Sequence, residues 1–385
     1  MKRRSGFQVM ARLIGLVKPL TGFMLLAILM GLIGHLCAAF ITIFGGYAVL
    51  EALHFDTPFT LTALFVCVVV FAIIRGFLRY AEQACNHFIA FKLLALLRDR
   101  VFRALRRLCP AKLEGRDKGD LISVITSDIE LLEVFYAHTI SPAAIAFLFT
   151  IVMCLFIGYF HWLLGLIALA AYLIVGIVIP LGISKLSGGD GMRFRRGSGE
   201  LSGFVLDSLR GLSETLQYGQ GQTRRQELEQ RGVQLSQQEE KAKRISGRNS
   251  AITNTVILLL DFAMLYTAST LCGFPTALIA TLTLMSSFGP SVALAALGAT
   301  LQNTFAAGNR VLDLLDEQPV VEDIHGYTPV TFAGAAVKDL RFSYDEEEIL
   351  SHIHLEIPKG KIVGILGRSG SGKSTLLKLL MRFWH

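Results

Sequence analysis

Apolar tracts that lack lysine and arginine alternate with basic, polar tracts along most of this chain. No Lys or Arg occurs in residues 19–74, 119–184 or 249–309. Each of these three tracts contains two apolar stretches separated by a short polar or aromatic break. A helix of ~20 apolar residues is long enough to cross a bilayer. Because basic residues concentrate on the cytoplasmic side of a membrane, the pattern predicts three membrane hairpins with both chain ends cytoplasmic.

Six spans follow from these breaks. They are Thr21–Gly45, Pro58–Leu78, Pro142–Phe160, Leu163–Ile183, Ala251–Leu271 and Pro275–Leu297. The polar connections from Arg79 to Ser141 and from Ser184 to Ser250 are long, so we expect spans two to five to continue into them as helices. Residues 1–20 contain a basic amphipathic segment, which predicts a helix lying along the inner membrane surface.

Composition favours a membrane protein over a nucleic-acid-binding protein. Hydrophobic residues make up 52% of the chain and charged residues 17%, and the mean hydropathy is +0.53. The net charge of +7 would also fit a nucleic-acid-binding surface. The basic residues, however, lie in the predicted cytoplasmic segments, where a solvated face accounts for them. We therefore expect the lipid bilayer of the cytoplasmic membrane as a partner, and no nucleic acid.

Two ionisable residues fall inside predicted spans. His35 lies in the first span and Asp261 in the fifth. Such residues are costly in a membrane and often mark a transport path, which is one of two roles that we consider for them. The alternative is an interhelical hydrogen bond or a pair between spans. Arg75 and Arg79 lie near the inner interface, where long basic side chains extend their charged ends to the membrane surface.

Near the C-terminal end, nine consecutive residues fit the phosphate-loop pattern G-x-x-x-x-G-K-[ST]. They are Gly367, Arg368, Ser369, Gly370, Ser371, Gly372, Lys373, Ser374 and Thr375. In such loops backbone N–H groups surround the phosphates of ATP, the lysine reaches the β- and γ-phosphates, and the first hydroxyl binds Mg²⁺, here Ser374. The run Lys361–Leu366 predicts a buried strand before the loop, and Lys373–Trp384 a helix after it. A chance glycine–serine turn is the alternative, but the agreement of strand, loop and helix favours nucleotide binding.

Alternating residues upstream predict a β-hairpin. Val337–Tyr344 forms one candidate strand, and Ile353, Leu355 and Ile357 mark the second. Tyr344 ends the first strand a little over twenty residues before the loop. This spacing favours stacking of its ring on adenine, and the alternative is that the ring only packs on the hairpin.

Together these features resemble ABC exporter half-transporters, in which a six-span membrane domain precedes an ATPase domain. Gly119–Ser123 and Thr126–Asp128 are similar to the first coupling segment of that family, and Leu212–Gly219 is similar to the second. The resemblance implies that these segments contact the ATPase domains and transmit their closure to the membrane helices. The coupling residues carried over are Gly119, Asp120, Asp128, Gln217, Tyr218 and Gly219.

A narrower resemblance connects the chain with CydC-type subunits of heterodimeric thiol exporters. It rests on Leu78–Glu82, Pro110–Leu113 and Leu216–Gly219. It implies export of a small solute such as cysteine or glutathione across the cytoplasmic membrane. It also implies a second, different half-transporter as partner, which favours a heterodimer over a homodimer.

The predicted fold is a polytopic α-helical membrane domain followed by the start of an α/β P-loop domain. We assign 1–20 to the interfacial helix, 21–308 to the membrane domain, 309–330 to a linker and 331–385 to the ATPase fragment. In the family, the signature motif, the acidic Mg²⁺ ligands and the general base follow the phosphate loop. They are expected beyond residue 385, so no catalytic set is complete here.

The resulting expectation is a C-terminally truncated piece of a longer ATP-hydrolysing transporter, inactive by itself. One alternative is a naturally short, non-hydrolytic membrane subunit that regulates a complete partner. The other is a membrane receptor or scaffold with a vestigial nucleotide site.

Overall fold

The computed structural model describes residues 4–384 except 17, 114–117, 187–189, 296–297, 322–325, 327, 329 and 345–346. The chain forms two compact units. The first comprises Met1–Leu93 and Leu131–Ala306, and the second comprises Leu94–Glu130 and Ala307–His385. The domain boundaries at 20, 308 and 330 stay predictions.

Six helices in the described part of the chain are long and apolar enough to cross a membrane. They are Lys18–Ala52, Leu61–Leu108, Gly119–Phe160, Trp162–Gly182, Gly221–Cys272 and Phe274–Leu294. The six predicted spans are therefore confirmed as helices of the required length and composition. The third and fourth are interrupted by π-helical turns at Val124–Asp128, Tyr136–Ile140 and Ile174–Val178.

The α-helices are named in chain order. They are α1 (Gly6–Leu16), α2 (Thr21–Ala52), α3 (Leu61–Leu108), α4 (Lys118–Ser123), α5 (Ile129–Phe135), α6 (Ser141–Phe160), α7 (Trp162–Leu173), α8 (Ile179–Leu186), α9 (Asp190–Arg210), α10 (Leu212–Gln217), α11 (Gly221–Cys272), α12 (Phe274–Ser287), α13 (Gly289–Ala295), α14 (Gly298–Asp316) and α15 (Lys373–Leu380).

Two helices extend far beyond a bilayer, as the sequence predicts. Helix α3 has 48 residues and α11 has 52, whereas a span needs only ~20. The polar half of α11 carries ion pairs one turn apart, including Arg231 with Glu227 and Lys243 with Glu239, both at 2.7 Å. Each such exposed pair adds only about 0.3–0.5 kcal/mol, so the pairs support a helix that length and continuity already favour.

The core of the first unit lies between α2, α6, α7, α11 and α12. Ile43, Phe149, Leu164, Met264 and Ile279 are among its fully buried members. Side chains on the outer faces of the spans, by contrast, are exposed apolar groups, which suits contact with lipid.

The second unit contains an antiparallel hairpin of β1 (Gly334–Tyr344) and β2 (Glu347–Pro358). Tyr344 lies opposite Glu347, and Gly334 lies opposite Pro358. The predicted hairpin is thus confirmed, with register shifts between Val337 and Ser343.

Two predictions about the phosphate-loop region are wrong. Lys361–Leu366 has no regular secondary structure and pairs with no strand in the described part of the chain, and Ile362 is fully exposed. A strand is regular and buried only when it pairs with a neighbouring strand, and the hairpin of β1 and β2 does not pair with this segment. Helix α15 ends at Leu380 rather than Trp384, because Arg382 adopts a left-handed conformation with φ of +57°. The N–H of Phe383 then donates to Lys378 O at 2.9 Å, which closes the helix end in a Schellman motif.

Candidate functional site

The phosphate-loop residues form a tight turn between Lys361–Leu366 and α15. Gly370 and Gly372 have φ of +81° and +80°. A Cβ atom on Gly372 would lie 2.6 Å from Cδ2 of the buried Leu350. Both the backbone conformation and the available space therefore require glycine at position 372.

Lys373 folds back over the loop from the first turn of α15. Its Nζ atom donates to Gly367 O at 3.0 Å and to Arg368 O at 2.6 Å. The N–H of Ser371 donates to Arg368 O at 3.3 Å. The charge of the loop lysine is therefore held against backbone carbonyl groups, and its binding of phosphate stays a prediction.

The hydroxyl residues of the loop divide by exposure. Ser369, Ser371 and Ser374 are exposed, whereas Thr375 is buried at 8% exposure. Only Ser374 combines an exposed hydroxyl with a position in the first turn of α15. This placement fits a hard cation such as Mg²⁺, which prefers oxygen ligands.

Tyr344 belongs to a cluster of three aromatic rings. Its ring centroid lies 4.9 Å from that of Phe342 and 5.2 Å from that of Trp384, in edge-to-face arrangements. Such pairs add about 0.5–1.5 kcal/mol beyond burial. The structure thus shows the hairpin packing that was the alternative for Tyr344, while adenine stacking stays a prediction.

Arg310 forms ion pairs with two carboxylates of the first predicted coupling segment. Gly119 and Asp120 lie on α4, and Asp128 ends the following π-helical turn. The Arg310 guanidinium donates to Oδ1 of Asp128, whose side chain is 1% exposed. The same guanidinium lies 3.7 Å from Oδ1 of the exposed Asp120. Asp128 is therefore a buried partner of Arg310 rather than an exposed contact residue.

The second predicted coupling segment is the short helix α10 between α9 and α11. Gln217 is its last residue, Tyr218 caps its C-terminal end, and Gly219 follows with φ of +66°. Tyr218 is 74% exposed and Leu216 is 66% exposed. The pKa of Glu214 is lowered, first by a hydrogen bond from its own backbone and then by one from the Ser213 hydroxyl. The segment thus presents apolar side chains and a carboxylate at the end of a helical hairpin.

The two predicted transport-path residues lie in different places. His35 lines a cavity of about 240 Å³ in the first unit, together with Arg79, Glu82 and Asn86. Asp261 is 6% exposed on α11 and does not line this cavity. Neither of its carboxylate oxygens has a hydrogen-bond partner in the described part of the chain. His35 and Asp261 therefore do not share this cavity.

Family comparison accounts for both the membrane helices and the phosphate loop. The family profile of the ABC transporter transmembrane region matches residues 24–289, and the ABC transporter profile matches residues 350–385. The chain belongs to the ABC transporter family. The resemblance drawn from the sequence is thereby confirmed at the level of the family.

Individual ABC transporter relatives differ in similarity and in coverage. A probable ABC transporter ATP-binding/permease protein of Haemophilus influenzae is 43% identical over 99% of this chain and 70% of its own length. The glutathione/L-cysteine transport system ATP-binding/permease protein CydC of Escherichia coli is 28% identical over 81% of this chain and 56% of its own. An ATP-dependent lipid A-core flippase of Vibrio parahaemolyticus is 28% identical over 86% and 57%. The chain thus matches little more than half the length of the last two relatives.

Sequence reasoning missed several groups that this ABC transporter chain brings together. Arg79, predicted to extend its charge to the membrane surface, donates to the buried Glu82 at 2.8 Å. Asn86 lines the same cavity, and Trp384 completes the aromatic cluster at Tyr344. The spacing of Arg79 and Glu82, three residues apart on one helix face, was the available signal for their pairing.

Proposed function

We propose that this chain is a permease–ATPase subunit that exports a small solute across the cytoplasmic membrane, driven by ATP. The observation that carries the proposal is the phosphate loop, with its lysine in place, on the same chain as six candidate membrane helices. A phosphate on the loop would take the place of the carbonyl groups that now hold Lys373, because a charge-assisted contact with an anion is stronger.

The nucleotide would be held by this chain's own residues in distinct ways. Loop N–H groups and Lys373 bind the phosphates, and Tyr344 stacks on the adenine ring. Ser374 would hold Mg²⁺, which neutralises charge that develops across the β- and γ-phosphates. Hydrolysis requires groups that the family places after the loop, so we assign the completed reaction to the whole transporter.

The cargo we propose is a small thiol such as cysteine or glutathione. This rests on the resemblance to CydC-type subunits, and the cavity of about 240 Å³ also supports a small solute over a lipid. The partner is a second, different half-transporter, and both termini lie in the cytoplasm.

Nucleotide binding can be followed through Trp384, because its ring lies 5.2 Å from that of Tyr344. The chain has two tryptophans, so a Trp162→Phe background leaves Trp384 as the only reporter. We expect ATP to change the fluorescence of Trp384. From the ATP dependence of that signal, we expect Lys373→Ala to weaken the affinity for ATP by more than about 10-fold. Lys378→Ala, also on α15, is the control. An ATP response that is identical in Lys373→Ala would contradict nucleotide binding at this loop.

A further inference from the structure

A cavity beside His35 is lined by polar groups. Membership of the ABC transporter family does not assign a role to them. The polar lining of the cavity consists of His35, Arg79, Glu82, Gln83, Asn86 and His138. Four of these six residues lie on α3, and apolar residues of α6 and α13 complete the walls. Helix α3 thus provides most of the polar lining of the cavity, and His35 and His138 provide the rest.

Arg79 and Glu82 place a positive and a negative group side by side on this wall. Nη1 of Arg79 donates to Oε2 of Glu82 at 2.8 Å. The Glu82 side chain is 5% exposed, whereas that of Arg79 is 55% exposed. A guanidinium has five N–H donors, so this bond leaves donors that can bind an anion. The carboxylate is likewise able to accept from a second cation.

Asn86 contributes an acceptor that the protein leaves unused. The residue is 3% exposed, and its Oδ1 atom has no hydrogen-bond partner in the described part of the chain. Buried acceptors without a donor are rare and costly in native proteins. Asn86 follows Glu82 by four residues and therefore lies on the same face of α3. A ligand with N–H groups would donate to Oδ1 of Asn86 and to a carboxylate oxygen of Glu82 at the same time.

We propose that this cavity binds a small zwitterion, with the carboxylate of the ligand on Arg79 and its ammonium group on Glu82 and Asn86. This inference rests on the proposed export function, whose cargo would occupy this cavity. The volume of about 240 Å³ suits a ligand between an amino acid and a small peptide in size. Recognition depends on the two charges and not on a thiol, so L-serine should bind about as well as L-cysteine.

The test measures binding calorimetrically, without nucleotide, to the chain in lipid nanodiscs with any subunit that co-purifies. L-cysteine and L-serine are the zwitterionic probes. Cysteamine lacks the carboxylate, and 3-mercaptopropionate lacks the ammonium group. We expect both single-charge probes to bind more weakly than L-cysteine by about 10-fold or more, since each forfeits a charge-assisted contact. Equal affinity for either single-charge probe, or no binding of L-cysteine and L-serine, would overturn the proposal.

Two variants test the residues directly. Asn86→Ala should weaken L-serine binding by about 10-fold. Arg79→Lys keeps the positive charge but loses the planar pair of N–H donors that a guanidinium offers a carboxylate, so it should also weaken binding. Lys92→Ala, an exposed change on the same helix, is the control and should bind normally. The thermal midpoint and the Trp384 response to ATP verify folding of each variant. Unchanged binding in a folded Asn86→Ala protein would refute the assignment.

The proposed function and this inference fail in different ways. Loss of the ATP response in the unaltered protein would contradict the proposed function but leave zwitterion binding measurable. Intact ATP binding together with zwitterion affinity that is indifferent to Asn86 and Arg79 would contradict only the cavity proposal.

Discussion

Gly372 is the position where the phosphate loop depends most directly on a single residue. Its φ of +80° costs about 1–2 kcal/mol for a residue with a side chain, and a Cβ would lie 2.6 Å from Leu350. We therefore expect Gly372→Ala to weaken ATP binding, measured by Trp384 fluorescence, by more than about 10-fold. Gly364→Ala is the matched control, because no atom lies within 4 Å of a Cβ there. Equal losses in both variants would contradict this account of the loop.

The pair of Arg310 and Asp128 permits a second test at the scale of residues. Removing Arg310 leaves a carboxylate that is 1% exposed without its cation, which we expect to cost about 1–3 kcal/mol because the arginine itself is half-exposed. Arg310→Ala should therefore lower the thermal midpoint, and adding Asp128→Asn should recover part of the loss. Arg98→Ala removes an exposed pair with Glu130 at 3.7 Å and should change stability little. A larger effect of Arg98→Ala would contradict the assignment.

Individual side chains also show the limit of prediction from sequence. The phosphate-loop motif could be identified residue by residue, because it depends on neighbours along the chain. Asn86 and Glu82 could not, since their burial depends on which face of α3 meets α2, α6 and α13. Hydropathy along one helix does not specify that face when the helix is apolar on most sides.

At the scale of elements, α10 is a short helix with exposed apolar side chains at the end of a helical hairpin. Tyr218 is 74% exposed, so Tyr218→Ala should change the free energy of unfolding by less than about 0.5 kcal/mol. The thermal midpoint should therefore hardly move. If α10 couples the ATPase domains to the membrane helices, the variant should nevertheless lose most ATP-driven transport while retaining ATP binding. Tyr266→Ala, at an equally exposed 74% in a membrane span, is the control. Normal transport by Tyr218→Ala would contradict the coupling role.

Helices were easier to predict than the strand before the phosphate loop. A helix satisfies its backbone within one segment, so basic and apolar tracts alone indicated α3 and α11 and their extension beyond the bilayer. Lys361–Leu366 has the composition of a strand, but a strand requires a partner strand, often from distant sequence, and the described residues provide none. Local pattern and long-range pairing are therefore different kinds of information.

At the scale of the whole molecule, a phosphate-loop motif and a polar cavity belong to one chain of the ABC transporter family. The relatives include a thiol transporter and a lipid flippase, so the family alone does not choose between a small solute and a lipid. The charged, confined cavity favours the small solute. The proposed zwitterion would place its carboxylate on Arg79 and its ammonium group on Glu82.

The most direct test is transport into inside-out vesicles that contain this chain and its associated subunit. We predict ATP-dependent accumulation of radiolabelled L-cysteine, competed by excess unlabelled L-serine and lost in Lys373→Ala, with Lys378→Ala unaffected. Accumulation that needs no ATP, or that persists undiminished in Lys373→Ala, would contradict the claim that this chain drives export with its nucleotide-binding loop.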